Sequence, residues 1–249
     1  MIRVRDLVAA YGKKEVLHGV SLAVKPQEIL VIMGQSGCGK STLLRHLIGL
    51  QKPLSGAVEI NGRNLADMSF GEYREFCKSV GVLFQGGGLF NSMTVGENVA
   101  FPLREYTRLA DPVIEITVSL KLRQVGLEGT EKLMPAELSG GMKKRAGLAR
   151  ALALDPSIFF LDEPTTGLDP IISAGIDELV LRIRDLYRTT MVVVAHDVAG
   201  SMHIADRIAM FKDGKVVDVG TPEEVRASED VYVRNFLERR PEREGQGAD

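Results

Sequence analysis

The sequence predicts an α/β domain whose sheet is mostly parallel, preceded by an antiparallel β region. Two patterns support this prediction. Strand-like apolar runs at residues 157–161 and 190–195 alternate with a helical pattern over residues 171–187, and this β-α-β rhythm is typical of parallel strands joined by crossover helices. Residues 2–8 and 20–24 instead alternate apolar and polar side chains, as half-buried antiparallel strands do.

A glycine-rich turn lies between a predicted buried strand at residues 28–33 and a predicted helix at residues 42–49. The turn fits the phosphate-binding pattern GxxxxGK[ST], and its position between a strand and a helix argues against a plain surface turn. Backbone N–H groups there can surround phosphate oxygens, Lys40 can reach the β- and γ-phosphates, and the Ser41 hydroxyl can bind Mg²⁺. The candidate nucleotide-binding residues are Gly34, Gln35, Ser36, Gly37, Cys38, Gly39, Lys40, Ser41 and Thr42.

Turn and capping signals predict the remaining elements. Asn61-Gly62 and Asp213-Gly214 each follow an apolar run, as in tight turns between paired strands. Thr221 with Glu224 three residues later is typical of a helix N-terminus. The other expected elements are a strand at 57–60, a helix at 69–78, a strand at 80–84, a mostly helical region at 94–154 with a break at Pro135, strands at 208–211 and 216–219, and a helix at 231–239.

Composition and charge narrow the class of protein. The chain has 249 residues, 26% of them charged and 45% hydrophobic, which suits one globular domain with or without a subdomain. The net charge is −2 without a strongly basic stretch, so nucleic acid is not an expected partner. Cys38 and Cys77 give no disulfide framework, and Cys38 is expected to be reduced in the cytosol. With neither a secretory signal nor a run of ~18–20 apolar residues, membrane anchoring is expected to need other chains.

Two adjacent carboxylates follow the apolar strand at residues 158–161. A carboxylate at the C-terminal end of a parallel strand, beside a phosphate loop, is well placed to hold Mg²⁺ through water, which is the role predicted for Asp162. Glu163 can orient or deprotonate an attacking water. The alternative is a pair of carboxylates at a surface turn, which the neighbouring phosphate loop makes less favourable.

A second glycine-containing motif, Leu-Ser-Gly-Gly-Met, begins at residue 138. Ser139 is predicted to be the N-cap of a helix that runs to residue 154. Gly140 and Gly141 would leave the first turn of this helix bare, which suits phosphate contact, although a plain capped helix remains the alternative. The basic run at residues 143–145 is predicted to be a solvated helix face.

These motifs resemble, over nearly the whole chain, the nucleotide-binding ATPase subunits of ABC transporters. That family has the signature LSGGQ where this chain has LSGGM. The resemblance implies a P-loop NTPase fold with a RecA-like parallel sheet core, an N-terminal antiparallel β subdomain and an inserted α-helical subdomain. It places the nucleotide-binding core at 1–88 and 156–220, the helical subdomain at 89–155, and a C-terminal helical extension at 221–240. The polar residues 241–249 are expected to be a disordered tail.

The resemblance also implies roles for single residues. Tyr11 matches the aromatic that stacks on adenine, Gln85 the glutamine that senses Mg²⁺ and the attacking water, and His196 the histidine that contacts the γ-phosphate. Asp169 lies in the loop that meets the partner subunit. Alternatively, Tyr11 is a half-exposed aromatic at a strand edge, Gln85 only ends a strand, and His196 is a structural histidine. The implied catalytic residues are Lys40, Gln85, Glu163 and His196, and the implied Mg²⁺ ligands are Ser41, Gln85 and Asp162.

The family geometry further implies a head-to-tail dimer with a second copy of the chain. Ser139, Gly140 and Gly141 of one copy would then cap the ATP held by Lys40 of the other, giving two sandwiched ATP molecules with Mg²⁺. Because the phosphates are bonded from both sides, hydrolysis would release the dimer. The chain is therefore expected to be an ATPase.

A narrower resemblance connects residues 81–107 and 137–156 with the ATPase subunits of Mla/Mce-type lipid transport systems. It implies three partners: an integral membrane permease, an MCE-domain lipid-binding protein and, in some systems, a small STAS-domain subunit. The chain would then be a peripheral protein on the cytoplasmic face of the inner membrane. Leu89, Phe90 and the residues at 101–103 are expected to form part of a groove for a permease helix.

Three alternatives to the lipid-transport interpretation remain, together with an open choice for the last predicted helix. The chain could serve a transporter of polar solutes, a soluble ABC ATPase acting on DNA or ribosomes, or a nucleotide-binding regulator without hydrolysis. A single nucleotide domain argues against the second of these, and the complete catalytic set argues against the third. The helix at 231–239 could bind another subunit or pack on its own core.

Overall fold

The computed structural model describes residues 1–12 and 14–240, and these residues form two β-sheets with helices packed against them. The predicted disordered tail at 241–249 lies outside the described residues. No helix within the described ranges has both the length and the apolar character needed to cross a membrane.

The strands are β1 (Ile2–Tyr11), β2 (Lys14–Val24), β3 (Ile29–Gly34), β4 (Ser55–Ile60), β5 (Arg63–Asn64), β6 (Val80–Leu83), β7 (Ile158–Asp162), β8 (Thr190–Val194), β9 (Arg207–Lys212) and β10 (Lys215–Gly220). The helices are α1 (Lys40–Leu47), α2 (Phe70–Lys78), α3 (Val95–Tyr106), α4 (Asp111–Gln124), α5 (Gly140–Ala151), α6 (Pro170–Tyr187), α7 (Val198–Ile204), α8 (Pro222–Arg226) and α9 (Val231–Leu237).

The two sheets correspond to the two regions predicted from the sequence. A four-stranded antiparallel sheet has the order β2-β1-β4-β5. A six-stranded sheet has the order β10-β9-β3-β8-β7-β6, and it is parallel from β9 to β6, with β10 added antiparallel as the second strand of a hairpin. The predicted α/β fold class, with an antiparallel β region before a mostly parallel sheet, is therefore confirmed.

Strand β3 separates two apolar cores. Ile29, Val31 and Met33 belong to a core that also contains residues of helices α3 to α6. Leu30 and Ile32 belong to a second core, built with α1 and the four-stranded sheet. Neighbouring side chains on a strand point to opposite faces, so β3 must be apolar at every position. This explains why its sequence shows a continuous apolar run instead of an alternating pattern.

The region predicted as mostly helical contains α3, α4 and α5. The predicted break at Pro135 is confirmed as a short 3₁₀ turn at Pro135–Glu137. A second break, which was not predicted, separates α3 from α4, where Pro112 stands in the first turn of α4. Proline lacks an N–H and is tolerated there because the first turn does not need that donor. Helix α5 ends at Ala151, three residues before the predicted end at residue 154.

The C-terminal part contains one helix that the sequence did not predict and one whose packing is now clear. Helix α7 has seven residues, too few to show a repeating apolar face, and its one local signal is the N-cap residue Asp197. In α9, Tyr232 and Val233 are buried in the core of the same chain. The structure therefore supports packing on its own core, one of the two alternatives for this helix.

A buried asparagine fixes the start of the helical region. Asn98 on α3 is fully buried, and its side-chain oxygen accepts the Phe90 N–H at 2.7 Å. Its side-chain nitrogen donates to the carbonyls of Phe90 at 3.1 Å, Met93 at 3.1 Å and Thr94 at 2.9 Å. One side chain thus holds residues 90–94 against α3.

Asn98→Ala is expected to lower the free energy of unfolding by about 2–4 kcal/mol, because the Phe90 N–H and the Met93 carbonyl lose their side-chain partner. Chemical denaturation of the full chain measures this change. Asn91→Ala is the matched control, since Asn91 is exposed in the same loop and should leave stability unchanged. Equal stability of the two variants would contradict the structural role of Asn98.

Candidate functional site

The predicted phosphate loop joins β3 to α1 and has Lys40 folded into it. Lys40 is buried, and its ammonium donates to the carbonyls of Gly34 at 2.7 Å and Gln35 at 2.8 Å. Gly34 allows a close approach of β9, since a Cβ at this position would lie 2.1 Å from the Phe211 carbonyl oxygen. Burial raises the pKa of the Cys38 thiol, so this thiol stays protonated at neutral pH. The loop is therefore ordered by its own lysine.

Five of the predicted residues meet at the carboxyl ends of the parallel strands. The Gln85 side-chain nitrogen donates to Glu163 Oε2 at 2.6 Å, and His196 Nδ1 lies 3.5 Å from Glu163 Oε1. The Ser41 hydroxyl donates to Asp162 Oδ1 at 3.5 Å. Burial, followed by the charge of Glu163, raises the pKa of Asp162. Residues from four distant parts of the chain thus form one polar cluster beside the phosphate loop.

Glu163 adopts an unusual backbone conformation. Its φ of 49° lies in the left-handed region, which residues other than glycine rarely adopt. Its N–H donates to the Val194 carbonyl at 2.9 Å, and the Thr166 hydroxyl donates to its carboxylate at 3.0 Å. Non-glycine residues in such conformations are concentrated at functional sites, where the surrounding structure holds them in place.

Lys144 is a site residue that sequence reasoning missed. The basic run at 143–145 was predicted to be a solvated helix face, and this is wrong for Lys144, which is 5% exposed. Its ammonium donates to the Glu163 carbonyl at 2.7 Å and to the Gln85 carbonyl. Burial lowers the pKa of Lys144, while the charges of Glu163 and Asp162 act in the opposite direction. Arg145 also turns inward and donates to the Val125 carbonyl at 2.8 Å.

The signal for Lys144 was present in the helical periodicity. Consecutive residues on a helix point about 100° apart, so three basic residues in a row cannot all share one solvated face. Lys144 lies three and four residues before Gly147 and Leu148, which are buried, and it therefore shares their face. Along this face, Gly147 allows close packing, since a Cβ there would lie 2.5 Å from the Gly87 carbonyl oxygen. Arg150 donates to the Gly88 carbonyl.

Ser139 and Asp169 make other contacts, each at the start of a helix. Ser139 caps α5 by accepting the Met142 N–H at 3.3 Å, as predicted for an N-cap. Asp169 caps α6 by accepting the N–H groups of Ile171 and Ile172, each at 3.0 Å. The side chain of Tyr11 lies outside the described part of the structure, so its adenine contact stays a prediction.

A large cavity lies beside the Glu163 carboxylate, between α6 and α7. Its volume is about 830 Å³, and its lining includes Gly167, Leu168 and His196. Asp177 also lines it, and burial, followed by the negative charge of Asp197, raises the pKa of Asp177 to about 6. The loop predicted to meet a second copy thus borders the same open space as the predicted γ-phosphate histidine.

The fold and the clustered side chains define an ATP-binding cassette. Residues 17–166 match the family described as ABC transporter, and the chain belongs to this family. The ATP-binding protein MlaF of an intermembrane phospholipid transport system in Haemophilus influenzae is 42% identical over 95% of this chain and 90% of its own length. The probable ribonucleotide transport ATP-binding protein mkl of Mycobacterium leprae is 41% identical over 95% of this chain and 68% of its own length.

Solved structures of cassettes have the same fold. A dimeric ATP-binding cassette in a post-hydrolysis state with ADP and phosphate is 31% identical, with a TM-score of 0.82 over 89% of this chain and 99% of that chain. CbiO1 of Clostridium perfringens, part of the ABC transporter complex CbiONQ, is 30% identical, with a TM-score of 0.83 over 95% of this chain and 94% of that chain. The predicted P-loop fold and the predicted ATPase class are therefore confirmed.

Lys144→Met is expected to lower kcat for ATP hydrolysis about tenfold or more, while the Kd for ATP stays within about twofold. The substitution removes the donor that holds the backbones of Gln85 and Glu163, and small displacements of reacting groups are costly. Steady-state kinetics and equilibrium ATP binding measure the two effects. Lys143→Met, the same change one position earlier on α5, is the control. A wild-type kcat in Lys144→Met would refute the positioning role.

Proposed function

We propose that the chain hydrolyses ATP as one half of a dimer and drives phospholipid transport through a partner permease. The observation that carries the catalytic part is the placement of Gln85 and His196 on the two oxygens of Glu163, beside a phosphate loop that already contains Lys40. A water bound to the Glu163 carboxylate, with Gln85 beside it, would stand near the γ-phosphate bound by that loop. Lys40 and His196 would contact the γ-phosphate, and Glu163 would take the proton of the attacking water.

The donor atoms near the phosphate loop fit Mg²⁺. Ser41, Gln85 and Asp162 would hold the ion, and all three offer oxygen, which is the ligand atom that Mg²⁺ prefers. The Ser41 hydroxyl and the Asp162 carboxylate are 3.5 Å apart and so border one space. A cation there would offset the burial that raises the pKa of Asp162. When bound, Mg²⁺ supplies charge neutralisation to the phosphates.

The proposed dimer rests on the two capping residues. Ser139 and Asp169 each accept N–H groups of their own helix. The Ser139 hydroxyl can still donate its proton, and Gly140 and Gly141 leave the first turn of α5 without large side chains. A head-to-tail second copy would bring this helix end to the ATP on the phosphate loop of the other copy. The related cassette solved as a dimer with ADP and phosphate supports this arrangement.

The proposed permease contact is an exposed aromatic pair. Phe90 and Phe101 are 43% and 39% exposed, and their ring centroids are 5.1 Å apart. The expectation that Leu103 lines the groove is wrong, because Leu103 lies on the opposite side of α3 and is buried in the core. Leu89 and Pro102 are half-buried. An apolar permease helix would cover the aromatic pair. The pair lies next to Gln85 and Gly88, whose carbonyls accept from Lys144 and Arg150 of α5.

The proposed cargo is supported by the relatives, and the further partners rest on the resemblance to lipid-system ATPases. MlaF is named for phospholipid transport and mkl for ribonucleotide transport, and the identities of 42% and 41% do not separate them. The resemblance of residues 81–107 and 137–156 to lipid-system ATPases favours phospholipid, and a polar solute is the second candidate. We therefore propose an MCE-domain protein and a STAS-domain subunit as further partners. The proposed location is the cytoplasmic face of the inner membrane, where the permease would hold the chain.

Glu163→Gln is expected to lower phosphate release at least about a hundredfold and to trap a dimer in the presence of ATP and Mg²⁺. The amide keeps the shape of the carboxylate but cannot accept the proton of the attacking water. Light scattering with and without ATP measures the dimer. Glu178→Gln, which changes a glutamate of the same cavity that pairs with His203, is the control. Normal hydrolysis by Glu163→Gln would rule out Glu163 as the base.

Phe90→Ala is expected to abolish most lipid transport by the assembled complex, while the isolated chain binds ATP as before. The substitution removes half of the aromatic pair that the permease would cover. Transfer of a fluorescent phospholipid between vesicles measures how well ATP hydrolysis is coupled to transport. Uptake of labelled ribonucleotide by the same complex tests the other candidate cargo. Phe70→Ala removes a phenylalanine that is 83% exposed elsewhere and is the control. Unchanged transfer by Phe90→Ala would contradict the proposed contact, and uptake of ribonucleotide alone would replace phospholipid as the cargo.

A further inference from the structure

Helix α9 reaches the first residues of the phosphate loop through one side chain. Tyr232 in its first turn is 6% exposed, and its hydroxyl accepts the Gln35 N–H at 3.1 Å. The same hydroxyl donates to the Phe211 carbonyl at 2.8 Å. A residue 197 positions later in the chain therefore bonds to the loop that would hold the phosphates.

The position of the Tyr232 hydroxyl is fixed by its surroundings. The Asp230 carboxylate accepts the N–H groups of Tyr232 at 2.8 Å and Val233 at 3.1 Å, which fixes the start of α9. The Phe236 ring centroid lies 6.2 Å from that of Tyr232, and the Lys212 ammonium lies 4.7 Å from the Tyr232 ring centroid. A hydroxyl held in this way binds its partners at little further cost in side-chain entropy.

The peptide groups of Gln35 are held from two sides. Tyr232 accepts the N–H of Gln35, and Lys40 donates to its carbonyl at 2.8 Å. To donate to the phosphates, Lys40 must give up at least one of its present acceptors, which are the Gly34 and Gln35 carbonyls and the Cys38 sulfur. When Lys40 turns to the phosphates, the Tyr232 hydroxyl can keep its bond to the Gln35 N–H without moving. The Phe211 carbonyl, its second partner, already packs against Gly34.

The other end of α9 lies near His196. The Arg239 guanidinium is 3.5 Å from the carboxylate of Asp197, which follows His196 and caps α7. A cavity of about 230 Å³ between α9 and the site is lined by Gln35, His196 and Tyr232 among others. Helix α9 and the residues just after it thus contact both segments that would face a γ-phosphate.

We propose that Tyr232 is a positioning residue for ATP binding: its hydroxyl keeps the first peptide of the phosphate loop in place while Lys40 turns to the phosphates. This inference rests on the proposed binding of ATP by that loop. It adds a role for the C-terminal helix, which acts on nucleotide affinity without touching the nucleotide. Any contact that displaced α9 would consequently weaken ATP binding.

The test compares ATP binding by the full chain and by Tyr232→Phe, using isothermal titration with ATP and Mg²⁺. We expect Tyr232→Phe to raise the Kd about five- to tenfold, the effect of one hydrogen bond. Tyr187→Phe is the matched control, because its hydroxyl bonds to Lys121 and Gln124 away from the loop. A thermal melt of each variant separates loss of stability from loss of affinity.

Amide hydrogen exchange gives a second readout that needs no variant. In the nucleotide-free chain, the Gln35 N–H should exchange at least about tenfold more slowly than those of Ser36 and Gly37. Equal Kd values for wild type and Tyr232→Phe, or fast exchange at Gln35, would overturn the positioning role while leaving ATP binding intact. Absence of ATP binding by the wild-type chain would overturn the proposed function together with this inference.

Discussion

The register of three parallel strands determines where the site forms. Ile32 of β3 pairs with Val194 of β8, and Val194 pairs with Asp162 of β7. The three strands therefore end at one edge of the sheet, and the residues after each strand emerge side by side. Those residues are the phosphate loop, Glu163 and His196, so a shift of one strand by a single residue would disperse the whole cluster.

Helix α5 is the second element on which the arrangement depends. Lys144 and Arg150 hold the carbonyls of Gln85 and Gly88, and Gly147 lets the helix pack closely between them. The same helix begins at the Ser139 cap, so α5 connects the predicted signature motif to the segment that contains Gln85. The exposed Phe90 follows directly, with the Arg150 guanidinium 5.6 Å from its ring centroid. A movement of the aromatic pair would therefore be passed through Arg150 to α5, and so to Gln85 and to the Ser139 end of the helix.

The sequence allowed prediction of the parts that have local signals. The phosphate loop, the strand before Asp162, and the caps at Ser139 and Thr221 each depend on neighbours within a few residues. Lys144 was missed although the periodicity of α5 places it on the buried face, and its partner at Gln85 lies 59 positions away. Tyr232 was missed because its partner lies 197 positions away, and a buried hydroxyl looks like any other in a sequence. Helix α7 was too short for a periodic pattern. The predicted residues came together because strand register is a property of the whole sheet, which no local motif specifies.

The lysine folded into the loop has a consequence for the speed of each catalytic cycle. With its ammonium on the carbonyls of Gly34 and Gln35, Lys40 bonds the backbone of the loop and keeps its shape. Arrival of a nucleotide is then an exchange of acceptors at one cation, not the ordering of a disordered segment. Such an exchange gives up some affinity, since existing bonds are broken, but it spares the entropy cost of ordering the loop. The loop is thus organised for rapid reloading.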